Sequence, residues 1–246
     1  MDENKIQAFR EVIGSSNNIV FFGGAGVSTE SGIKDYRSSD GLYTTVKEYG
    51  VQPEEILSRR FFEKKPEVFY AFYFKHLLNS DVQPNVAHYA LTDMEKAGKL
   101  NAVITQNVDG LHQKAGSKNV LELHGTIAVH RCHHCRLEYP TDEVIALGGK
   151  VPYCRMCGGA VRPDAVFYGE TLNETVVNLA VGAISAADML IIGGTSLAVY
   201  PASAYLQYFR GRKIVLINKG ETAYDSRADI VFRDSIGEVL RRTICK

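Results

Sequence analysis

The sequence predicts an α/β fold: a doubly wound, mostly parallel sheet with a smaller domain inserted into it. Two observations support this prediction. Short apolar runs recur along the 246 residues, and helix-length segments separate several of them, as in parallel sheets that are buried on both faces. Two stretches, at about 35–78 and 128–162, interrupt this alternation, and the second contains two Cys-x-x-Cys pairs.

The predicted strands are short, apolar throughout and bounded by turn residues. An amphipathic helix over about Lys5 to Ile13 precedes the first strand, and Ala87 to Lys96 has a helical pattern. The strands are predicted at Ile19–Phe22, Ala102–Thr105, Met189–Ile192, Ile214–Ile217 and Asp229–Phe232. The resulting domain boundaries are about 1–34, 79–127 and 163–246 for the sheet domain, and about 35–78 (a helical module) and 128–162 (a ribbon) for the small domain.

Composition excludes several classes of protein. Lys plus Arg and Asp plus Glu number 28 each, so no net charge attracts nucleic acid or an anionic membrane. The apolar runs are too short to cross a bilayer, and Met1–Lys5 lacks the basic region of a secretion signal. We therefore expect a cytoplasmic protein with no membrane partner and no direct nucleic-acid binding.

Small and polar residues follow the predicted strands. The carboxyl ends of parallel strands meet at one edge of a sheet, where open α/β sheets bind their ligands. This arrangement makes the sheet Rossmann-like and favours a nucleotide ligand. The residues concerned are Gly23–Gly26, Gln106–Asp109, Gly193–Ser196 and Asn218–Gly220.

The glycine turn after the first strand matches a dinucleotide-binding loop only in part. Gly24 and Gly26 allow the backbone to approach a pyrophosphate, and a helix beginning at Ser28 or Thr29 would point its N–H groups at it. However, Thr29 occupies the position of the third glycine, and no acidic residue clearly ends the next strand. Taken alone, the pattern is equally consistent with an ordinary tight turn.

The two cysteine pairs predict a structural zinc site. Cys132 and Cys135 are separated by eighteen residues from Cys154 and Cys157, and each such knuckle supplies two thiolates to a tetrahedral ion. Four thiolates leave no open coordination position, so the metal stabilises the fold and takes no part in catalysis. Reduced thiols or a redox pair are the alternatives. Three nearby histidines are expected on the surface of the ribbon: His130, His133 and His134.

Several further blocks run in order from about residue 20 to 220. They are Gly24–Ser28, Ser31–Arg37, Thr105–His112, Glu122–Gly125, the two cysteine pairs, Arg162–Glu170 and Gly194–Ala202. Together these blocks resemble the sirtuin family. Two positions depart from the family pattern, which usually has Pro at Lys34 and Phe at Tyr36. Tyr36 keeps the aromatic ring, so the implied function stands.

The resemblance implies an NAD-dependent protein-lysine deacetylase with one structural zinc ion. The acetyl-lysine amide oxygen attacks C1′ of the nicotinamide ribose, nicotinamide leaves, and a base then deprotonates a ribose hydroxyl. The products are free lysine and O-acetyl-ADP-ribose. The implied catalytic residues are His124, Asn107 and Asp109, with His124 as the base because a neutral imidazole accepts a proton near physiological pH.

The resemblance also implies which residues bind the two substrates. The implied NAD-binding residues are Gly24, Ala25, Gly26, Thr29, Tyr36, Arg37, Gln106, Asn107, Val108, Asp109, His124, Gly194, Thr195, Ser196, Asn218, Lys219 and Ile236. The acetylated protein or peptide is expected to lie as an extended strand between two edges of the site. The residues of these edges are Val166, Phe167, Tyr168, Gly169, Val199 and Tyr200.

The acyl group is predicted from the small-domain helix. Sirtuins that prefer acidic acyl groups carry a Tyr and an Arg three residues apart there, whereas this chain has Tyr70 and Tyr73. This difference favours acetyl or longer apolar groups.

Two other functions stay open at the level of sequence. Mono-ADP-ribosyl transfer to protein uses the same NAD site, and a zinc-stabilised nucleotide-binding or nucleic-acid-binding module needs no catalysis. His124 considered alone is more often a hydrogen-bonded core histidine than a base. The joint placement of these motifs at successive strand ends favours the enzyme.

Overall fold

The computed structural model of the protein describes residues 2–35, 46–78 and 81–244. Tyr36 and Arg37, which were predicted to bind NAD, lie outside the described residues. None of the described helices has the length and apolar character that crossing a membrane requires.

The described residues form nine strands and ten α-helices. The strands are β1 (Ile19–Gly23), β2 (Leu100–Thr105), β3 (Val120–Glu122), β4 (Gly125–Cys132), β5 (Glu138–Pro140), β6 (Val161–Ala165), β7 (Met189–Gly193), β8 (Lys213–Ile217) and β9 (Ile230–Phe232). The helices are α1 (Glu3–Ser15), α2 (Val46–Tyr49), α3 (Pro53–Ile56), α4 (Arg59–Lys64), α5 (Pro66–His76), α6 (Val86–Lys96), α7 (Leu111–Ala115), α8 (Thr141–Ile145), α9 (Glu174–Ala186) and α10 (Ile236–Ile244).

Six strands form one parallel sheet in the order β3-β2-β1-β7-β8-β9. The chain adds β2 and β3 on one side of β1. It then crosses to the other side of β1 and adds β7, β8 and β9 there. The order therefore reverses between β1 and β7, where Gly23 pairs with Gly193. Such a reversal is the place where doubly wound sheets open a crevice for a ligand. The predicted doubly wound parallel sheet is confirmed.

Both faces of this sheet are buried. Ile19 and Phe21 of β1 pack on one face in a cluster with residues of α1, α6 and α10. Val20 and Phe22 pack on the other face with α9 and the 3-10 helix Ala202–Tyr208. This alternation explains why the strands are apolar throughout, since successive side chains of a strand point to opposite faces.

The smaller sheet is antiparallel, with the order β5-β4-β6. Its core is shared with the helical segment, because one cluster of buried residues contains Phe62, Phe69 and Tyr70 together with Cys132 and Phe167. The prediction that residues 35–78 and 128–162 belong together is consistent with this packing.

One sequence expectation about the ribbon is wrong. His130 is fully buried, and its Nε2 lies 3.0 Å from the hydroxyl oxygen of Tyr73 on α5. His134 is exposed and His133 is partly exposed, as predicted. His130 on β4 faces Tyr73 of α5, and the cysteine spacing alone does not specify which residues of the ribbon face inwards.

Candidate active site and metal centre

The loops that follow β1 and β7 are in backbone contact. The N–H of Gly26 donates to the carbonyl of Gly194 over 2.8 Å, and the N–H of Gly24 donates to Gly193 over 3.3 Å. A Cβ added to Gly26 would lie 2.8 Å from Gly194 Cα, and one on Gly24 would lie 2.9 Å from Thr195 Cβ. Glycine at 24 and 26 therefore lets the loops after β1 and β7 meet in backbone contact, and this glycine cradle lies at the reversal of strand order, where doubly wound sheets bind a ligand.

The predicted helix after this cradle is instead two short 3-10 turns, Ala25–Val27 and Thr29–Ser31. The side chain of Thr29 donates to the carbonyl of Gly26 over 3.0 Å. The threonine that replaces the third glycine therefore stabilises the turn locally. Ala25 is partly exposed at the start of the first turn.

Gln106 joins three strand ends. Its N–H donates to the carbonyl of Gly23 over 3.0 Å, and its Nε2 donates to Thr195 Oγ1 over 3.1 Å. Its own carbonyl lies 2.8 Å from His124 Nδ1. One residue thus holds the loops after β1, β2 and β7 together and also contacts the candidate base.

Asn107 and Asp109 are joined by a residue that was not predicted as part of the site. Ser28 is fully buried. Its Oγ donates to Asp109 Oδ2 over 2.7 Å and accepts a hydrogen bond from Asn107 Nδ2 over 3.0 Å. The other oxygen of Asp109 accepts from the N–H of Leu111. The signals for Ser28 in the sequence were its place at the end of the Gly24–Ser28 block and its position as a possible helix start, and neither indicated a contact of its side chain with Asp109. Val108, between these two side chains, uses its carbonyl to accept from the N–H of Ile127.

His124 follows β3 and is partly exposed. Because a carbonyl only accepts, Nδ1 carries the proton that it donates to Gln106, which leaves the Nε2 lone pair of the neutral ring available. Burial lowers the pKa of His124 below the ordinary 6.5, while the hydrogen bond to the Gln106 carbonyl acts in the opposite direction. The ring is therefore neutral at physiological pH and is suited to accept a proton.

Two other histidines near the site are not exposed to solvent, unlike His124. His88 and His112 are 0% and 1% exposed, and their ring centroids lie 4.7 Å apart. Burial lowers their pKa values to about 4 and about 3. They are neutral packing residues, which leaves His124 as the candidate base among these three.

The residues predicted to bind the adenosine half of NAD lie beyond the reversal point. Asn218 follows β8, where its N–H donates to the carbonyl of Phe232 and its Nδ2 to that of Gly220. The adjacent Lys219 is exposed, as is Ser196 after β7. Ile236 begins α10, and its Cδ1 lies 2.4 Å from where a Cβ on Gly193 would be. The predicted adenosine residues thus follow the carboxyl ends of β7 and β8 or lie close to them.

One predicted peptide edge lies directly beside His124. The N–H of Val166 donates to the carbonyl of His124 over 2.8 Å. Tyr168 and Gly169 are exposed, whereas Phe167 is buried. On the second predicted edge, Val199 is partly exposed and Tyr200 is 80% exposed. The edge at 166–169 is thus in backbone contact with the candidate base.

The four cysteines are brought together as predicted. Their Sγ atoms all lie within 4.8 Å of one another, with 3.4 Å between Cys132 and Cys157 and 3.5 Å between Cys135 and Cys154. Thiolates about 2.3 Å from a tetrahedral zinc ion are about 3.8 Å apart, whereas a disulfide needs about 2.05 Å. The donor set and its spacing fit one structural Zn²⁺.

Comparisons with known proteins agree with this geometry. The family model described as Sir2 family matches residues 24–201. The chain is 53% identical over 244 residues to an NAD-dependent protein deacetylase of Clostridium perfringens, covering 98% of this chain and 99% of that one. A second relative of the same name, from Clostridium acetobutylicum, is 50% identical over 241 residues and 98% of both chains. The chain belongs to the Sir2 family.

Solved Sir2 structures have the same fold. A Sir2 complex with a p53 peptide and NAD+ matches with a TM-score of 0.87 and 36% identity over 96% of both chains. A Sir2 protein bound to a propionylated peptide matches with a TM-score of 0.87 and 36% identity, over 97% of this chain and 96% of that one. The resemblance deduced from the motifs is therefore confirmed at the level of family and fold.

The close approach at Gly26 leads to a first prediction. We expect Gly26→Ala to weaken NAD binding at least tenfold and to cost about 1–3 kcal/mol of folding free energy, because the new methyl group meets the Gly194 backbone. Calorimetric titration with NAD and thermal unfolding measure the two effects.

The matched control is Gly14→Ala. Gly14 lies in α1 with nothing within 4 Å of the added Cβ, so this change should raise stability by about 0.5–1 kcal/mol and leave NAD affinity unchanged. Equal NAD affinity in the two variants would contradict the close-approach argument.

The cysteine cluster leads to a second prediction. We expect the wild-type protein to contain one zinc ion per chain, measured by atomic emission. Cys154→Ser should lose that ion and lower Tm by roughly 10 °C or more, since metal binding contributes directly to folding. Cys245→Ser, which changes the fifth cysteine, serves as the control. A Cys154→Ser protein that keeps its zinc and its Tm would refute the four-thiolate site.

Proposed function

We propose that the protein is an NAD-dependent protein-lysine deacetylase that acts on acetylated proteins or peptides in the cytoplasm. One observation carries the proposal: His124 links the two halves of the site, one through its side chain and the other through its backbone. The ring of His124 is hydrogen bonded to Gln106 in the NAD-side loops, and its carbonyl accepts from Val166 at the peptide edge. The names of the Sir2 relatives support the same activity.

The glycine cradle and the two loops beside it are proposed to bind NAD. Gly24 and Gly26 give the pyrophosphate access to the backbone, while Gly194 and Thr195 form the facing wall. Asn218 and Lys219 follow the next strand end, on the adenosine side. The pair Asn107 and Asp109, held by buried Ser28, is proposed to hydrogen bond the nicotinamide ribose and carboxamide.

In this proposal NAD supplies the electrophilic ribose carbon and the ribose hydroxyls that receive the acetyl group. The protein's contribution is positioning and one proton acceptor. His124 accepts a ribose hydroxyl proton at Nε2 while Nδ1 stays bonded to Gln106. Asp109, fixed through two hydrogen bonds, orients the carboxamide of the leaving group.

The peptide is proposed to lie as an extended strand between residues 166–169 on one side and 199–200 on the other, and to pair with the backbone groups there that have no partner among the described residues. Backbone pairing gives affinity for an extended chain with little dependence on side chains. The acyl group is proposed to be acetyl or another apolar group. The hydroxyl of Tyr70 donates to the carbonyl of Val161 over 2.5 Å, and that of Tyr73 is bonded to His130, so neither is available to an acyl carboxylate.

We further propose that the chain forms two domains, with the boundaries that the sequence predicts. The sheet domain supplies the NAD loops, and an inserted domain at about 35–78 and 128–162 supplies the zinc ribbon and a helical module. The shared cluster of buried aromatic residues supports the second unit. Zinc is proposed to stabilise this unit and to take no part in the chemistry.

Release of nicotinamide tests the proposal. We expect wild-type protein to release it from NAD only when an acetyl-lysine peptide is present, and to release at least tenfold less with the matched succinyl-lysine peptide. His124→Ala should bind zinc and NAD as wild type does but should form at least a hundredfold less free lysine, because it lacks the base. Mass spectrometry of the peptide measures this product.

Two outcomes would contradict the proposal. Release that is independent of peptide acetylation, with ADP-ribose attached to the protein substrate, would indicate mono-ADP-ribosyl transfer. Binding of NAD without any release would indicate a nucleotide-binding module.

The pKa of His124 gives a prediction about pH. The base must be neutral, and burial lowers its pKa below 6.5, so the decline of kcat/KM for NAD on acidification should have its midpoint below pH 6.5. A midpoint at or above 6.5 in a plot of log kcat/KM against pH would contradict the assignment.

A further inference from the structure

We propose that Arg162 is a positioning residue for the acetylated peptide, because its buried ion pair with Glu170 sets the shape of the turn at 166–170. This inference rests on the proposed function, which assigns residues 166–169 as one edge of the peptide site. Arg162 itself lies on β6, on the side of the turn away from the solvent, and contacts no reacting atom.

The contacts of Arg162 converge on this turn. The side chain is 7% exposed. Nη1 donates to Glu170 Oε1 over 2.6 Å, and Nη2 donates to Glu170 Oε2 over 2.8 Å and to the carbonyl of Ala165 over 2.6 Å. The guanidinium lies 3.6 Å from the ring centroid of Phe167. The Arg162 side chain therefore contacts Ala165 just before the turn, Phe167 within it and Glu170 at its end.

Glu170 closes the same turn from the other end. Its Oε2 also accepts from the N–H of Phe167 over 2.9 Å, and its own N–H donates to the carbonyl of Phe167 over 2.9 Å. Burial raises the pKa of Glu170, but the hydrogen bonds from Arg162 and from the Phe167 N–H outweigh it and lower the pKa overall. The carboxylate is thus charged at neutral pH and fully engaged.

The rest of the turn is fixed by the small domain. The N–H of Tyr168 donates to the carbonyl of Leu57 over 3.0 Å, and the carbonyl of Tyr168 accepts from the N–H of Arg59 over 3.1 Å. Phe167 uses both of its backbone groups within the turn. Gly169 is exposed, with φ of +88°, and its backbone groups have no hydrogen-bond partner among the described residues. The ion pair thus decides how Gly169 is presented to an incoming strand.

Stability alone does not account for such a pair. Two apolar side chains of similar volume often stabilise a protein as well as a buried ion pair does, because burying charges costs desolvation energy. An apolar pair has no donor for the Ala165 carbonyl and no acceptor for the Phe167 N–H. Arg162 supplies the donor and Glu170 supplies the acceptor, and their bidentate ion pair fixes the direction of both hydrogen bonds.

The experiment compares Arg162→Lys and Glu170→Gln with the control Arg131→Lys. Lys keeps the charge but loses the planar fork, and Gln keeps the shape but loses the charge. Arg131 also belongs to the small sheet and donates to Asp164 over 2.8 Å, but its side chain is 32% exposed and its ion-pair partners are Asp164 and Glu138. Zinc content and Tm are measured for all variants to confirm that each is folded.

Two measurements report on the peptide site. Fluorescence anisotropy gives Kd for a labelled acetyl-lysine peptide without NAD, and steady-state assays give KM for peptide, KM for NAD and kcat. We expect Arg162→Lys and Glu170→Gln each to raise the peptide Kd and KM by roughly tenfold to a hundredfold. KM for NAD and kcat at saturating peptide should change by less than about twofold, and Arg131→Lys should match wild type throughout.

Other outcomes overturn the inference. Peptide Kd values equal to wild type in both variants would show that the pair does not position the peptide, and the proposed function would stand if turnover persists. Parallel losses in NAD and peptide affinity would assign the pair a general structural role. If wild type releases no nicotinamide with acetylated peptide, the proposed function fails, and the anisotropy values alone then decide the inference.

Discussion

The geometry of the site depends on one steric constraint, the backbone contact between the loops after β1 and β7. A parallel sheet opens a crevice where its strand order reverses, and here two glycine-bearing loops meet at the reversal between β1 and β7. Gly26 donates to Gly194 over a distance that excludes a Cβ at either position. Because both loops are fixed by this contact, Gln106 can bridge Gly23 and Thr195, and its carbonyl can orient the ring of His124.

His124 then links these loops to the segment at 166–169, which is proposed as one edge of the peptide site. Its ring is held by one loop and its backbone holds another, so a displacement of either loop is transmitted to the base. The small domain contributes through Tyr168, which is paired with the segment between α3 and α4. The zinc ribbon and the helical module share one aromatic core. A metal bound by the ribbon can thus affect the proposed peptide edge at 166–169 by stabilising the unit that borders it.

Much of the fold followed from the sequence because the sheet is buried on both faces, which makes the strands apolar throughout and their ends polar. The strand-end residues, including Gln106 and Asn107, could be assigned to the site for this reason. Ser28 was missed because its role depends on a contact with Asp109, 81 residues away. His130 was misplaced because cysteine spacing specifies a metal site but not which face of β4 meets α5. β3 spans three partly exposed residues, too few for a clear pattern.

The partner of the His124 ring has a further consequence for the chemistry. Among the described residues, the pKa of His124 is set by burial and by a backbone carbonyl, with no carboxylate contributing. A carboxylate partner would stabilise the imidazolium and make a stronger base that is already protonated over more of the pH range. A carbonyl fixes the same tautomer without adding charge. Such a partner therefore favours the unprotonated Nε2 that the proposed base needs before it accepts a proton.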